Sequence, residues 1–372
     1  MNKLIIASAG SGKTRLIVND AIDKASQGIS VLITTFTDAC EQEIRDRIIG
    51  KIGCIPEKIA IQTWFLFLIS HGVKPFQGLL FEYDISGMLL VNGKSGLRYM
   101  AKNGFPVYWG EDSFDKFYFT DCKKVYSDKL AQLAVRCNTA SGGMVFDRIS
   151  RCFRCIYIDE IQDLAGYDLE ILDCFFKSKS DVVLVGDPRQ ATYSTNNSRK
   201  NKKYVKSEIV NFFEDSKLSI ETDTTSLTIN HRCFQSICIL SNKLYPDLPS
   251  ATSGNIEFTG HDGVFALSVD NVDEYLSRFN AIQLRDSIKT PVNDDFEVFN
   301  FGKSKGRTLD RVVIYPSEPM VKWFKDNKFE LTQAARSKLY VALTRAKNSV
   351  AIVLKNNDVK KIDGIAVYHS IS

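Results

Sequence analysis

Phosphate chemistry needs a cradle of backbone N–H groups, a fixed positive charge and a carboxylate to activate water, and this chain has candidates for each. Lys13 lies in Ala9-Gly10-Ser11-Gly12-Lys13-Thr14, after an apolar run and before an amphipathic one. Glycines there let main-chain N–H groups converge on phosphate oxygens, and the helix that follows adds its partial positive charge. In such a loop the Lys13 ammonium neutralises the β and γ phosphates and the Thr14 hydroxyl ligates Mg²⁺, which implies ATP and Mg²⁺ as cofactors. Ala7 departs from the general pattern, standing at its first glycine. Ile156-Tyr157-Ile158-Asp159-Glu160 ends an apolar run in two acids. Asp159 suits Mg²⁺ held through water, and Glu160 suits orientation and deprotonation of the attacking water. Adjacent acids after a strand often only cap a helix, but beside a phosphate loop they fit in-line hydrolysis. Val183-Leu184-Val185-Gly186-Asp187-Pro188-Arg189-Gln190 repeats the strand-then-polar-turn pattern, with Gln190 a γ-phosphate sensor. Arg232 and Arg345 are candidates to stabilise charge on the transferring phosphoryl group, against surface salt bridges as the plainer alternative.

These groups need rigid elements to hold them. Apolar runs at Leu4–Ala7, Val31–Thr35, Cys155–Ile158, Val182–Val185, Val312–Tyr315 and Val350–Leu354 read as strands buried on both faces of parallel sheets. Thr14–Ala25 and Asp38–Ile49 carry apolar residues at helical spacing. The pattern is α/β. From 65 to 145 the rhythm breaks into Gly- and aromatic-rich sequence, read as a mainly helical insertion. A first domain is therefore expected over 1–64 and 146–225, and a second over 226–372.

The bulk composition sets wide bounds. Forty-eight Lys and Arg against 44 Asp and Glu is too mild a balance to announce nucleic acid. Neither a membrane span nor a leader is apparent, and a cytoplasmic location is expected. Nine cysteines without framework spacing fit reduced thiols. Cys152 and Cys155 form a lone CxxC with no second pair nearby, which favours free thiols over a metal site. The dense basic stretch Arg199 to Lys206 is either a phosphate-gripping loop or a solvated face.

Taken in order, the motifs resemble those of the superfamily 1 helicases across nearly the whole chain. The blocks are Ala-Gly-Ser-Gly-Lys-Thr at 9–14, Thr-Phe-Thr at 35–37, Asp-Glu-Ile-Gln-Asp at 159–163 and Gly-Asp-Pro-Arg-Gln at 186–190. They continue with Asn-His-Arg at 230–232, Ser-Lys-Gly at 304–306 and Tyr-Val-Ala-Leu-Thr-Arg-Ala at 340–346. Gln162-Asp163 resembles the UvrD/Rep branch, which translocates 3′ to 5′ on single-stranded DNA. The resemblance implies two RecA-like parallel-sheet domains, the first carrying the insertion. It further implies that Arg232 and Arg345 reach the γ-phosphate, that His231 stacks on adenine in place of an aromatic, and that Thr35, Phe36, Thr37, Thr63, Trp64 and Tyr193 line the DNA track.

Departures from the family pattern carry expectations of their own. Only three residues precede the first strand, so the upstream glutamine that reads adenine in this family is expected to be missing. Thr195 and Asn196 replace the usual Trp-Arg after Tyr193, and Arg307-Thr308-Leu309 replaces a Leu-Glu-Phe that couples the ATP and DNA sites. Only 71 positions separate Arg232 from Lys303, leaving room for no more than a vestige of the helical subdomain larger relatives insert there. The expected function is an ATP-dependent single-stranded DNA translocase or helicase. One alternative is a DNA-stimulated ATPase subunit that unwinds little and works with a nuclease or other protein subunit in phage defence or recombination. Another is a DNA-binding module switched by nucleotide.

Overall fold

The computed structural model describes residues 2–196, 198–215, 218–362 and 364–370. Asp363, Ile371 and Ser372, at or near the end of the expected second domain, lie outside them. The chain divides into two compact units, one of Met1–Ile5, Thr14–Gly186 and Tyr193–Asp223, the other of Ile6–Lys13, Asp187–Thr192 and Thr224–Ser372. The segments that follow the first strand and the Gly-Asp-Pro-Arg-Gln strand thus belong, by their contacts, to the second unit.

In the first unit β1 (Lys3–Ile6), α1 (Lys13–Ser26), β2 (Val31–Thr35), α2 (Asp38–Ile52) and β3 (Ile59–Thr63) alternate as expected. Thr37 caps α2, its hydroxyl accepting from the Cys40 N–H at 3.2 Å, and Gly53 closes the helix at φ +82° with its N–H on the Ile49 carbonyl. After β3 come the short α3 (Trp64–Phe67) and two tighter or wider turns to Leu79. Between Gly87 and Tyr126 the insertion is not helical throughout. It holds β4 (Gly87–Leu89), β5 (Leu97–Met100), β6 (Pro106–Tyr108), α4 (Phe114–Tyr118) and β7 (Lys124–Tyr126), with β4 pairing β7 and β5 pairing β6 in two small sheets. Helical order resumes in α5 (Ser127–Ala140) and α6 (Met144–Cys152). Then β8 (Cys155–Ile158), α7 (Asp168–Phe176), β9 (Asp181–Gly186), α8 (Ile209–Asp215) and β10 (Glu221–Asp223) complete a six-stranded sheet of order β10-β1-β9-β8-β2-β3. Every residue of β2 and β8 is buried, as continuous apolar runs in a doubly covered parallel sheet must be.

The second unit opens with a two-stranded pair, β11 (Ile229–Asn230) and β12 (Thr252–Ser253), around α9 (Gln235–Asn242). Its main sheet has the order β15-β14-β16-β17-β13-β18. Those strands are β13 (Gly263–Ser268), β14 (Ile282–Arg285), β15 (Val298–Asn300), β16 (Leu309–Tyr315), β17 (Ala346–Leu354) and β18 (Ala366–Val367). Alternation along them sorts side chains to two faces. Val312, Ile314, Val350 and Ile352 pack with α9, α11 (Glu318–Lys325) and α12 (Gln333–Leu343), whereas Val313 and Ala351 pack with α10 (Val272–Phe279). The fold is mixed α/β with two RecA-like parallel sheets, as the motif order implied.

Candidate functional site

The loop between β1 and α1 has the backbone of a phosphate cradle. Gly10 and Gly12 sit at φ +71° and +90°, which side-chain-bearing residues rarely adopt. A Cβ on Gly12 would meet nothing within 4 Å, so the loop faces open space there. A Cβ on Gly10 would lie 2.4 Å from Asn230 Oδ1 and 2.9 Å from Arg232 Cβ. Lys13, at the start of α1, is buried, and its ammonium donates to the Ser8 and Ala7 carbonyls at 2.8 and 3.2 Å. Ser11 Oγ donates to the same Ser8 carbonyl at 2.8 Å. Ala7, unlike Gly10 and Gly12, does not have the positive φ that calls for glycine, so a side chain there brings no backbone strain.

Around this loop the second unit gathers most of its predicted site residues. His231 donates its main-chain N–H to the Gly10 carbonyl at 2.9 Å, while its exposed imidazole lies beside Gly254. That exposure is what stacking on a base requires. Asn230 Oδ1 accepts from the N–H groups of Arg232 and Cys233 at 2.8 and 2.9 Å, locking the turn, and Arg232 Nη1 donates to the Thr344 carbonyl at 3.1 Å. Arg345 is 2% exposed. Its Nε donates to the Val341 carbonyl at 3.1 Å and its Nη2 to Gln190 Oε1 at 2.9 Å. Gln190 Nε2 in turn donates to Asp187 Oδ2 at 2.9 Å, and Asp187 Oδ1 accepts from Arg189 Nε at 2.7 Å. Burial alone would push the Asp187 carboxyl up, but the charges of Arg189 and Lys13 hold it below the ordinary range. Gln190 and Arg345, 155 positions apart, are thus brought into direct hydrogen bonding.

In the first unit Asp159 and Glu160 follow β8. Asp159 is buried, its N–H on the Thr34 carbonyl at 2.9 Å, and its Oδ1 accepts from the Glu160 N–H at 2.9 Å. Glu160 adopts φ +56°, a left-handed conformation unusual for glutamate, and its carboxylate accepts from the Gln162 side-chain amide. Backbone strain held in this way tends to cluster at functional sites. Gly186 is needed at the end of β9, since a Cβ there would lie 2.5 Å from Ile161 Cγ1 and 2.6 Å from Gln162 Oε1. Thr14 and Asp159 offer one hydroxyl and one carboxylate, a hard-oxygen set that suits Mg²⁺, which prefers few protein ligands alongside phosphate and water.

The predicted DNA-track residues divide. Phe36, partly exposed, has its ring centroid 6.5 Å from that of Tyr193, which is 40% exposed, and 5.7 Å from that of buried Phe65. These rings form an aromatic cluster with two accessible members. Trp64 does not join it as a stacking surface. It is 2% exposed, and its indole Nε1 donates to Asp168 Oδ1 at 2.8 Å, so its faces are packed in the protein rather than offered to a base. Thr35 is buried, Thr37 serves as the α2 cap, and the Thr63 hydroxyl accepts from the Leu66 N–H at 3.3 Å to start α3. Thr195 and Asn196, the residues that replace Trp-Arg, are buried and donate to Asp168. Asp168 is fully buried, and desolvation raises its carboxyl to about 6 despite donors from Thr195, Trp64, the Ala165 main chain and Asn196. In the basic stretch Lys200 pairs with Glu170 at 3.5 Å and Lys203 with Asp215 at 3.0 Å, which spends part of its charge internally. Sequence reasoning assigned no role to Phe65, Asp168, Arg189 or Tyr340. Helical spacing, which puts Tyr340 one turn before Thr344, was the available signal for the last.

Residues 1–196 match the model of a family described as an AAA domain, and residues 128–354 match that of the viral superfamily 1 RNA helicase core domain. The chain belongs to the superfamily 1 helicases. The resemblance drawn from the motif order, to a UvrD-like member of that superfamily, therefore holds. Among relatives of this helicase, the Gabija protein GajB of Bacillus cereus is 26% identical over 246 residues, covering 65% of this chain and 46% of the relative. An ATP-dependent helicase/nuclease subunit of Ligilactobacillus salivarius is 50% identical over 50 residues, 13% of this chain and 4% of the relative. The chain thus spans less than half the length of these curated relatives. A solved arterivirus nonstructural protein 10 helicase in complex with DNA aligns over 96% of this chain and 62% of its own at 13% identity, with a TM-score of 0.46. Among the described residues no helix is long and apolar enough to cross a membrane, and no group of three or more His, Cys, Asp or Glu is placed to hold a metal.

Proposed function

We propose that this chain is an ATP-hydrolysing motor that moves along single-stranded DNA. The observation that carries the reading is the hydrogen-bonded run from Asp187 through Gln190 to Arg345, in the same unit as the phosphate loop and Arg232. A glycine-rich turn kept only for packing has no need of a buried guanidinium fixed by a γ-phosphate-sensing glutamine. On binding, the β and γ phosphates take the amides of Gly10 to Thr14, and the Lys13 ammonium leaves the Ser8 and Ala7 carbonyls for them. Glu160 orients the attacking water and accepts its proton, while Arg232 and Arg345 neutralise charge that grows on the γ-phosphoryl oxygens. Thr14 and Asp159 would hold Mg²⁺, which when bound supplies further charge neutralisation at the phosphates.

Phe36 and Tyr193 provide faces for unstacked bases, which is how motors grip a strand without reading its sequence. Gln162 and Asp163 favour 3′ to 5′ movement by their resemblance to the UvrD/Rep branch. A second reading, a DNA-stimulated ATPase working beside a nuclease in phage defence or recombination, is favoured by the helicase/nuclease name of one relative. Strand displacement on duplexes with 3′ or 5′ single-stranded tails, under single-turnover conditions with a protein trap, tests both. Movement from 3′ tails with weak opening of long duplexes is expected. Preference for 5′ tails contradicts the direction, and processive opening of long duplexes contradicts the need for a partner.

A further inference from the structure

Tyr340 has no part in the chemistry above, yet its side chain reaches the phosphate loop. It is 2% exposed, and its hydroxyl accepts from the main-chain N–H of Ala9, itself buried, at 3.2 Å. In a phosphate loop the amides further on are kept for phosphate oxygens, so the protein itself must satisfy the Ala9 amide. The Tyr340 ring centroid lies 5.6 Å from the Arg189 guanidinium carbon. Arg189 is fixed at its other contacts by Asp187 Oδ1 at 2.7 Å and the Pro249 carbonyl at 3.0 Å. Through Asp187 and Gln190 the same polar run ends on Arg345, just beyond the last turn of α12, which carries Tyr340. Ala9 of the phosphate loop bonds Tyr340 in that turn and the Arg345 guanidinium bonds the Val341 carbonyl in it, so the loop and Arg345 are both anchored to the end of α12.

We propose that Tyr340 is a positioning residue of the ATPase site, holding Ala9 by its hydroxyl and Arg189 against its ring so that the phosphate loop and Arg345 keep one spacing. The proposal rests on the ATPase reading above. Phenylalanine would fill the same volume and keep the ring contact, but it would leave a buried N–H without an acceptor at the loop's first turn. Displacements of about 1 Å in such a constellation cost on the order of 100-fold in rate.

The test is steady-state ATP turnover of the full chain with single-stranded DNA, beside the affinity for a non-hydrolysable ATP analogue and thermal unfolding. For Tyr340→Phe, kcat should fall about tenfold or more while analogue affinity stays within about threefold, since spacing matters most in the transition state. In an Arg345→Lys background the same change should cost less than about twofold, because the spacing it protects has already been spoiled. Arg189→Lys keeps a charge beside Asp187 but loses the planar fork, and it should lower kcat by about threefold with the same dependence on Arg345. It stands in should Tyr340→Phe unfold. Wild-type turnover in both variants, or equal fold losses with and without the Arg345 change, overturns the proposal. Absence of turnover in the wild-type chain overturns instead the ATPase reading on which it rests.

Discussion

The phosphate loop and its partners in the second unit differ in kind from the aromatic cluster of the first. Around the loop Lys13, Gln190 and Arg345 are buried and each is held by at least two hydrogen bonds. In the cluster Phe36 and Tyr193 are held by packing alone and keep their faces accessible, while Trp64, next to Phe65 in sequence, is sunk and bonded to Asp168. Charge chemistry needs preorganised groups shielded from water, whereas a sequence-indifferent grip needs exposed flat surfaces. The two regions should therefore fail separately when altered.

The largest effect is expected on the charge side. Lys13→Ala should lower ATP turnover by at least about 100-fold and weaken nucleotide binding, without altering single-stranded DNA affinity in the absence of nucleotide. Filter binding and a coupled ATPase assay check both, and equal turnover would remove Lys13 from the site. Glu160→Gln sharpens the contrast, because the amide keeps the shape but cannot take a proton. Turnover should fall by roughly 100-fold or more while ATP remains bound, measured as radiolabelled nucleotide retained by the protein. Rapid hydrolysis by this variant would reassign the base.

On the aromatic side the effects are smaller and fall on DNA. Phe36→Ala should weaken single-stranded DNA binding by about 1 to 3 kcal/mol, leaving DNA-free ATP affinity unchanged. Trp64→Phe should leave DNA affinity alone and instead lower stability by about 1 to 3 kcal/mol, since Asp168 loses a donor in the interior. If Trp64→Phe loosens DNA and Phe36→Ala does not, the placement of the track is wrong.

A pH-dependent effect of similar size concerns Asp168. Its carboxyl is raised to about 6 by burial, above the value it has in the unfolded chain. The folded state therefore holds the proton more tightly, and the stability this contributes, up to about 3 kcal/mol, is present below about pH 4 and lost as pH rises through about 6. Asp168→Asn should remove that slope. Unfolding by denaturant at several pH values, compared between the two proteins, should show their stability difference moving in the variant's favour from pH 4 to 6. A constant difference would mean that Asp168 titrates normally.

What could be read from the sequence follows the same division. The phosphate loop, Asp159-Glu160 and Gln190 follow apolar runs that are continuous, and strands such as Val31–Thr35 and Cys155–Ile158 fall where those runs predicted, whereas Arg232 and Arg345 stood out only through the family resemblance. The burial of Trp64 was not legible, because a tryptophan after a strand reads alike whether its ring lies inside or outside. It is decided by Asp168, 104 positions away. Likewise Thr195 and Asn196 looked like a lost stacking residue, and only the fold reveals them as donors to that carboxylate. The small sheets at 87–126 escaped notice because their strands are three or four residues long and largely exposed, without the alternation that a buried face imposes.

ATP turnover by the charge-bearing region should answer to a strand bound at the aromatic one. Steady-state hydrolysis by the purified chain, titrated with unstructured single-stranded DNA at fixed saturating Mg·ATP, addresses it directly. A low basal rate that rises by at least about tenfold and saturates, with Phe36→Ala shifting the midpoint and not the maximum, is the predicted result, since stacking contributes to binding rather than to chemistry. Turnover that is absent, or the same at every DNA concentration, would contradict it.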